Sequence, residues 1–181
     1  MKTISSALLL LIVSIGWPTS NGSAYCIGWD KSRPDYDPRY YSVAHELKRA
    51  KYVVEARAIR EVWLGRDGRP KPLEPPFQFG YPRPWGFDPY FGVYYTIEII
   101  EAYKGNPPDY VKVFSENSNG RFWMKVGQEY ILFITEEEFG DPAFGQSALG
   151  LQMTIDNCGH SSWLPEARTT LRALENASHA K

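Results

Sequence analysis

Cys26 and Cys158 are the only cysteines in the chain, and His45, His160 and His179 are its only histidines. Zinc or copper needs several such ligands gathered at spacings like i, i+4 on a helix, and none of the histidines has a partner at that spacing. Gly159-His160-Ser161-Ser162 sets an imidazole beside two hydroxyls. A nucleophile elbow, however, requires Gly-x-Ser-x-Gly, and the stretch reads equally well as a polar loop next to a cysteine. Glu136, Glu137 and Glu138 read as a solvated turn at a strand end rather than as a calcium site or a catalytic carboxylate pair. The expectation is no catalytic residue, no metal ligand, no cofactor and no enzyme.

The cysteine pair carries structural meaning instead. Lys2 followed by an apolar run over residues 7–15 and the small residues Gly22 and Ala24 reads as a signal peptide over 1–24. The run is shorter than the roughly 20 residues a spanning helix needs, so export and release is the reading, with a retained anchor as the alternative. In an oxidising compartment two cysteines bracketing the folding region read as one long-range disulfide, the alternative being two free thiols. Closing a loop of about 130 residues is worth something near 5 kcal/mol on the chain-entropy model.

Cleavage after Ala24 leaves about 157 residues, the size of one domain with a real core. The formal charge of −1 becomes about −2 without Lys2, which gives no electrostatic basis for binding nucleic acid.

Along that domain, Ser42 is placed to cap a short helix in which Val43, Leu47 and Ala50 share a face. Alternation predicts strands over 52–63, with Tyr52, Val54, Ala56 and Ala58 on one side, and over 92–103, with Val93, Tyr95, Ile97 and Ile99 on one side. Shorter strands are predicted over 110–115, 128–135 and 149–155. In the fourth, Tyr130, Leu132 and Ile134 oppose Ile131 and Phe133, so both faces are expected to be covered. Pro165 is expected to open a final helix with Ala167, Leu171, Leu174 and Ala177 along one stripe. Five short strands with few helices predict a mainly β fold, a small closed barrel that removes exposed edges.

One segment departs from this plan. Residues 65–92 hold seven prolines interleaved with Phe77, Phe79, Tyr81, Trp85, Phe87 and Tyr90. The prolines exclude a central strand or a helix, and the aromatics argue against simple disorder, so a semi-rigid loop insertion is expected. Rigid aromatic rings lose little entropy on contact and bury large areas, which makes Tyr81, Trp85 and Phe87 candidate partner contacts. The alternative is that these rings fold back over the sheet as a second small core.

Several short motifs recur in a familiar order: Cys26; Ala50-Lys51-Tyr52-Val53-Val54-Glu55-Ala56; Ile100-Glu101-Ala102-Tyr103-Lys104-Gly105; Gly120-Arg121-Phe122 with Gly127-Gln128-Glu129-Tyr130-Ile131-Leu132; and Asn157-Cys158-Gly159-His160-Ser161 before a closing helix. In this order the chain resembles the tissue inhibitors of metalloproteinases and their netrin-like relatives, including exported bacterial members, over most of residues 26–177. The resemblance implies an OB-type five-stranded closed barrel with a short N-terminal helix and a C-terminal helix, its N-terminal segment pinned by the disulfide. It also implies an activity. In that family the amine and carbonyl of an N-terminal cysteine bind the zinc of a metalloprotease and displace its water. Here Tyr25 stands before Cys26, so the mechanism carries over only where processing also removes Tyr25. Asn119 occupies a position where the family commonly has a further cysteine. The resemblance thus implies a secreted or periplasmic protein-binding module acting on a zinc metalloprotease through Cys26, and the residues themselves offer the aromatic loop, with Tyr25 and Cys26, as the candidate partner surface. A cell-envelope carbohydrate- or scaffold-binding module using that loop is the alternative.

Overall fold

A computed structural model describes residues 42–72, 90–117, 121–140, 148–155 and 159–179. The expected leader, Tyr25, Cys26, Tyr81, Trp85, Phe87 and Cys158 lie outside the described residues.

Ser42 caps the first helix as expected: its backbone is extended and its hydroxyl accepts the His45 N–H at 3.2 Å. The helix, α1 (Val43–Arg49), has only seven residues, too few to persist alone in water. It is held by packing, with Val43, Leu47 and buried Ala50 against Val53, Ile131 and Phe133. The chain then forms β1 (Tyr52–Gly65), β2 (Tyr90–Lys104), β3 (Tyr110–Glu116), β4 (Glu129–Phe139), β5 (Gly150–Ile155), β6 (Ser162–Trp163) and α2 (Arg168–His179).

The fold is mainly β: the described residues form one six-stranded sheet with two α-helices. β1 pairs antiparallel with β2, β2 with β3, β4 with β5, and β4 with β1; β3 meets β5 in parallel at Phe114 opposite Thr154. Hydrogen bonding therefore runs in a ring through five strands, and β6 adds to β4 beside it. The long β1 serves two partners, with residues 52–57 against β4 and residues 53–65 against β2. Four register shifts against β2 interrupt its ladder, and bulges of this kind raise local twist enough for one strand to bend between two neighbours.

The alternation expected of the strands is the alternation found. Val54, Ala56, Ala58, Val93, Tyr95, Ile97, Val111, Val113, Tyr130, Leu132 and Ile134 fill one interior cluster. Ile131 and Phe133, on the other face of β4, lie with Val53 beneath the helices, beside Ala167, Leu171 and Leu174 of the expected stripe. Phe122 and Met124 complete the interior from the segment before β4, tied to β3 because Ser115 Oγ accepts the Phe122 N–H and donates to its carbonyl.

Four boundaries differ from expectation, each for a local reason. Residues 65–92 are not loop throughout: β1 runs to Gly65 and β2 starts at Tyr90. A tight return at Arg66–Arg69, with Gly68 at φ +73 and Asp67 accepting the Arg69 N–H, brings Pro70 back beside Leu64, an edge position that proline tolerates. The acidic run is strand rather than turn, because Glu136, Glu137 and Glu138 pair with Met153, Gln152 and Leu151 while all three side chains stay exposed. Pro165 opens a 3-10 turn over Leu164–Glu166, and α2 begins at Arg168. Ser162, expected in a polar loop, pairs with Ile131, and Trp163 beside it pairs with Tyr130, as a sixth strand. Among the described residues no helix is long and apolar enough to cross a membrane.

Candidate functional site

The described residues flanking the proline/aromatic segment form a rigid base at one end of β1. Trp63, buried and directed inward, packs edge-on to Tyr90 at 5.3 Å and against Trp123 at 5.5 Å, and the Arg121 guanidinium lies 4.0 Å over Trp123. The Tyr90 hydroxyl donates to the Pro72 carbonyl at 2.9 Å. Asn117 donates its side-chain amide to the Tyr90 carbonyl and its backbone N–H to that of Phe91. Both ends of segment 73–89 are therefore anchored to the same strands.

On the outer face a second aromatic group lies beside this base. Phe114, fully buried, is ringed by Phe139 at 4.9 Å, Tyr94 at 5.2 Å and Phe91 at 5.6 Å, with Leu64 and Leu149 in the same cluster. Gly92 makes this possible, since a Cβ there would fall 2.5 Å from the Phe114 ring. Phe91 leads out of segment 73–89, and Phe139 and Leu149 flank residues 141–147, so the bases of two connections share one ring. Tyr94 donates its hydroxyl to Gln152 at 2.8 Å and carries the Lys112 ammonium 3.6 Å over its face. Burial pushes the Tyr94 phenol above its ordinary range.

The opposite end of β1 holds the residues that follow Cys158. The His160 N–H donates to Glu46 Oε2 at 2.8 Å, and His160 Nδ1 lies 3.3 Å from the same oxygen. Ser161 Oγ accepts the Phe133 N–H at 2.9 Å in a buried position. Lys104 donates its ammonium to the carbonyls of Leu47 at 2.7 Å, Lys48 at 3.0 Å and Ala50 at 2.5 Å, capping α1. Gly105 turns away at φ +80 where a Cβ would meet the Lys51 carbonyl at 2.8 Å, so the Lys104-Gly105 pair serves the backbone. From Val53, beside this end, to Leu64, at the aromatic base, β1 covers eleven residue steps, or roughly 35 Å at about 3.3 Å per residue before bending. The Cys158 end and the roots of the aromatic segment are thus at separate places.

Between them the outer surface is acidic. Glu55 sits directly opposite Glu101 in the β1–β2 register, and burial together with Glu129 and Glu101 holds its carboxyl above the usual range. Tyr103 beside them, which donates to Glu101, is pushed up to about 12 by burial and by Glu101, Glu55 and Glu175. Arg57 offsets part of this charge by bonding Glu129 at 2.6 Å and Glu98 at 3.3 Å. Because the folded state raises the Glu55 pKa, folding takes up a proton in this range. The penalty from ionised Glu55 is therefore absent well below the ordinary value of 4.5 and grows as pH rises through the raised one. Glu55→Gln is expected to stabilise the protein at pH 7 by roughly 0.5 kcal/mol, since exposure screens the pair, and to change nothing near pH 3.5; urea midpoints at the two pH values check this.

Among the described residues no three His, Cys, Asp or Glu side chains gather as a metal site. The residues expected to touch a partner, Tyr25, Cys26, Tyr81, Trp85 and Phe87, lie outside the described residues, and what is described is the footing of the aromatic segment. That footing includes Phe114, Tyr94, Trp63 and Trp123, to which sequence reasoning gave no site role; the glycine at position 92 in an otherwise bulky strand is the signal that a ring packs across it. No protein-family model matches the chain, and a search of curated proteins finds no match.

Proposed function

We propose that this chain is an exported, secreted or periplasmic, protein-binding module of the tissue-inhibitor and netrin-like kind, built on an OB-type barrel. The fold reading draws support from the cyclic strand order β1-β2-β3-β5-β4, in which, among the described strands, the parallel contact falls between β3 and β5. A five-stranded Greek-key barrel has this arrangement. The observation that carries the binding reading is the footing of segment 73–89. The packed rings of Trp63, Tyr90 and Trp123, the Tyr90–Pro72 bond and the Asn117 bonds order the residues on either side of it before any partner arrives. A recognition element whose ends are already ordered loses less entropy on binding, which favours affinity.

Metalloprotease inhibition is the specific activity proposed, with the amine and carbonyl of Cys26 on the protease zinc and the aromatic segment adding contact area. It depends on Cys26 being the first residue, because Tyr25 would move the amine away from the chelating position. Two versions of the exported protein, one beginning at Tyr25 and one at Cys26, are to be refolded under oxidising conditions and titrated against a zinc endopeptidase. The Cys26 form is expected to inhibit and the Tyr25 form is not. Absence of inhibition by both removes the proposed activity. Retention on a cell-envelope polysaccharide, weakened by Trp85→Ala, then identifies the carbohydrate-binding alternative.

A further inference from the structure

We propose that the outer face of β1, β2 and β3 around Arg60, Thr96 and Lys112 binds a carboxylated linear saccharide, with its carboxylates on the two cations and a sugar ring on Tyr110. This surface is built from described residues alone, and the proposal does not depend on protease inhibition.

The strand registers lay out the face, because residues paired across a sheet point to the same side. Arg57, Glu98 and Tyr110 form one row, Arg60, Thr96 and Lys112 the next, and Val62, Tyr94 and Phe114 a third. Side-chain contacts agree with that grid: Arg57 bonds Glu98 at 3.3 Å, and the Lys112 ammonium lies 3.6 Å over the Tyr94 ring.

Arg60 reaches this side only through an irregularity in β1. Strict alternation after Val54, Ala56 and Ala58, all members of the interior cluster, would turn it inward. A register shift between Ala58 and Arg60 leaves Ile59 outside the ladder and returns Arg60 to the outside, opposite Thr96. Bulges beside binding sites re-aim side chains in this way. Among the described residues Arg57 is ion-paired, to Glu98 and Glu129, whereas the exposed Arg60 and Lys112 have no carboxylate partner. They stand two strands apart, roughly 10 Å between backbones at about 4.8 Å per strand, with half-buried Thr96 between them. Tyr94, whose hydroxyl is fixed on Gln152 at 2.8 Å, holds the Lys112 ammonium by its ring face. That contact orders the cation and leaves its outward N–H groups to donate.

The neighbouring row selects the ligand. Tyr110 is 57% exposed and offers a ring for the C–H face of a sugar. Glu98, held by Arg57, accepts from sugar hydroxyls but repels a chain that carries an anion at every residue. A nucleic acid strand brings a phosphate with each nucleotide, and a protein of formal charge −1 gives it no general attraction. A saccharide with carboxylates at intervals sets them at Arg60 and Lys112 and its neutral hydroxyls at Glu98. A protein partner is served less well, because Ile59 and Tyr110 are too few exposed apolar side chains to form the core of an interface.

The test uses the full mature chain and a fluorescently labelled oligogalacturonate, with binding read by anisotropy. Binding is expected, and to weaken as salt rises. Arg60→Gln and Lys112→Gln should each weaken it about threefold, the range of an exposed ion pair. Tyr110→Ala should weaken it about fivefold through the lost ring contact. All three side chains are exposed, and unchanged urea midpoints are expected to show that the fold is kept. A neutral oligoglucan, which lacks both charge contacts, should bind about tenfold more weakly. No binding, equal affinity for the neutral glucan, or tighter binding of an oligothymidylate overturns the proposal. So does binding that Trp85→Ala weakens while Arg60→Gln and Lys112→Gln leave it intact, since recognition would then lie in segment 73–89. Protease inhibition by the form beginning at Cys26 should be untouched by Arg60→Gln and Lys112→Gln, so either reading can fail without the other.

Discussion

Phe114→Ala is expected to lower folding stability by about 3–5 kcal/mol, the largest effect of any single side chain outside the interior cluster. Phe114 is fully buried and is the hub of a group in which Phe91, Tyr94 and Phe139 all reach its ring. Alanine leaves a cavity that those neighbours cannot refill, because each is tied to its own strand. Chemical denaturation followed by tryptophan fluorescence reads the loss as a shift in midpoint. A second substitution checks the cause. Gly92→Ala in the wild type is expected to cost about 1–3 kcal/mol by driving a methyl group into the same ring. In the Phe114→Ala background part of that penalty should vanish. The part due to the Ser115 carbonyl, 2.7 Å from the added carbon, should stay. Additive losses would show that the ring and the glycine are unrelated. Since Phe91 and Phe139 lead into the two connections at this end, the binding function proposed above also predicts that Phe114→Leu weakens binding through the aromatic segment.

Lys104→Met is the second substitution with a large expected effect, a loss of about 2–3 kcal/mol. The ammonium satisfies three carbonyls near the end of α1, and methionine preserves the packing of the stem while leaving those oxygens without their donor. The damage should be local. Amides of α1 are expected to exchange with solvent far faster in the variant, while those of β1, β2 and β4 keep their protection, as measured by hydrogen exchange. Lys104→Arg should not restore the wild type, because a flat, forked guanidinium cannot direct three donors to carbonyls around one point as a tetrahedral ammonium does. Full protection of α1 in Lys104→Met would mean that apolar packing alone holds the helix.

What could be read in the sequence was what repeats over short distances. Val93, Tyr95 and Ile97 announce the inward face of β2, and the double face of β4 is plain in Tyr130 to Ile134, because burial on either side of a strand is written at period two. Ser42 announces its helix because the cap bond spans three residues. What could not be read depends on residues far apart or on too few of them. Ser162 and Trp163 are two residues and have no period. Glu136 to Glu138 have the polarity of a turn, and only their pairing with β5 makes them strand. Lys104 reaches carbonyls more than fifty positions earlier, and Glu46 reaches a peptide N–H 114 positions later, with no local pattern to mark either. The candidate site divides in the same way: the aromatic composition of the segment is visible in sequence, whereas the residues that hold its base become visible only when β1, β2 and β3 are side by side.

The parallel meeting of β3 and β5 also has a mechanical meaning. Every other junction of the ring is a ladder of six or more paired residues, while this one has a single register pair, Phe114 with Thr154, joined by the Thr154 hydroxyl to the Phe114 carbonyl. A circular wall with one thin seam parts at the seam. Under tension, or in the brief openings that precede unfolding, β5 and the chain beyond it should peel from β3 first, with the β1–β2–β3 meander still intact. The hinge of that rupture is the same Phe114 on which the aromatic end rests, so whatever grips that end also sews the wall shut.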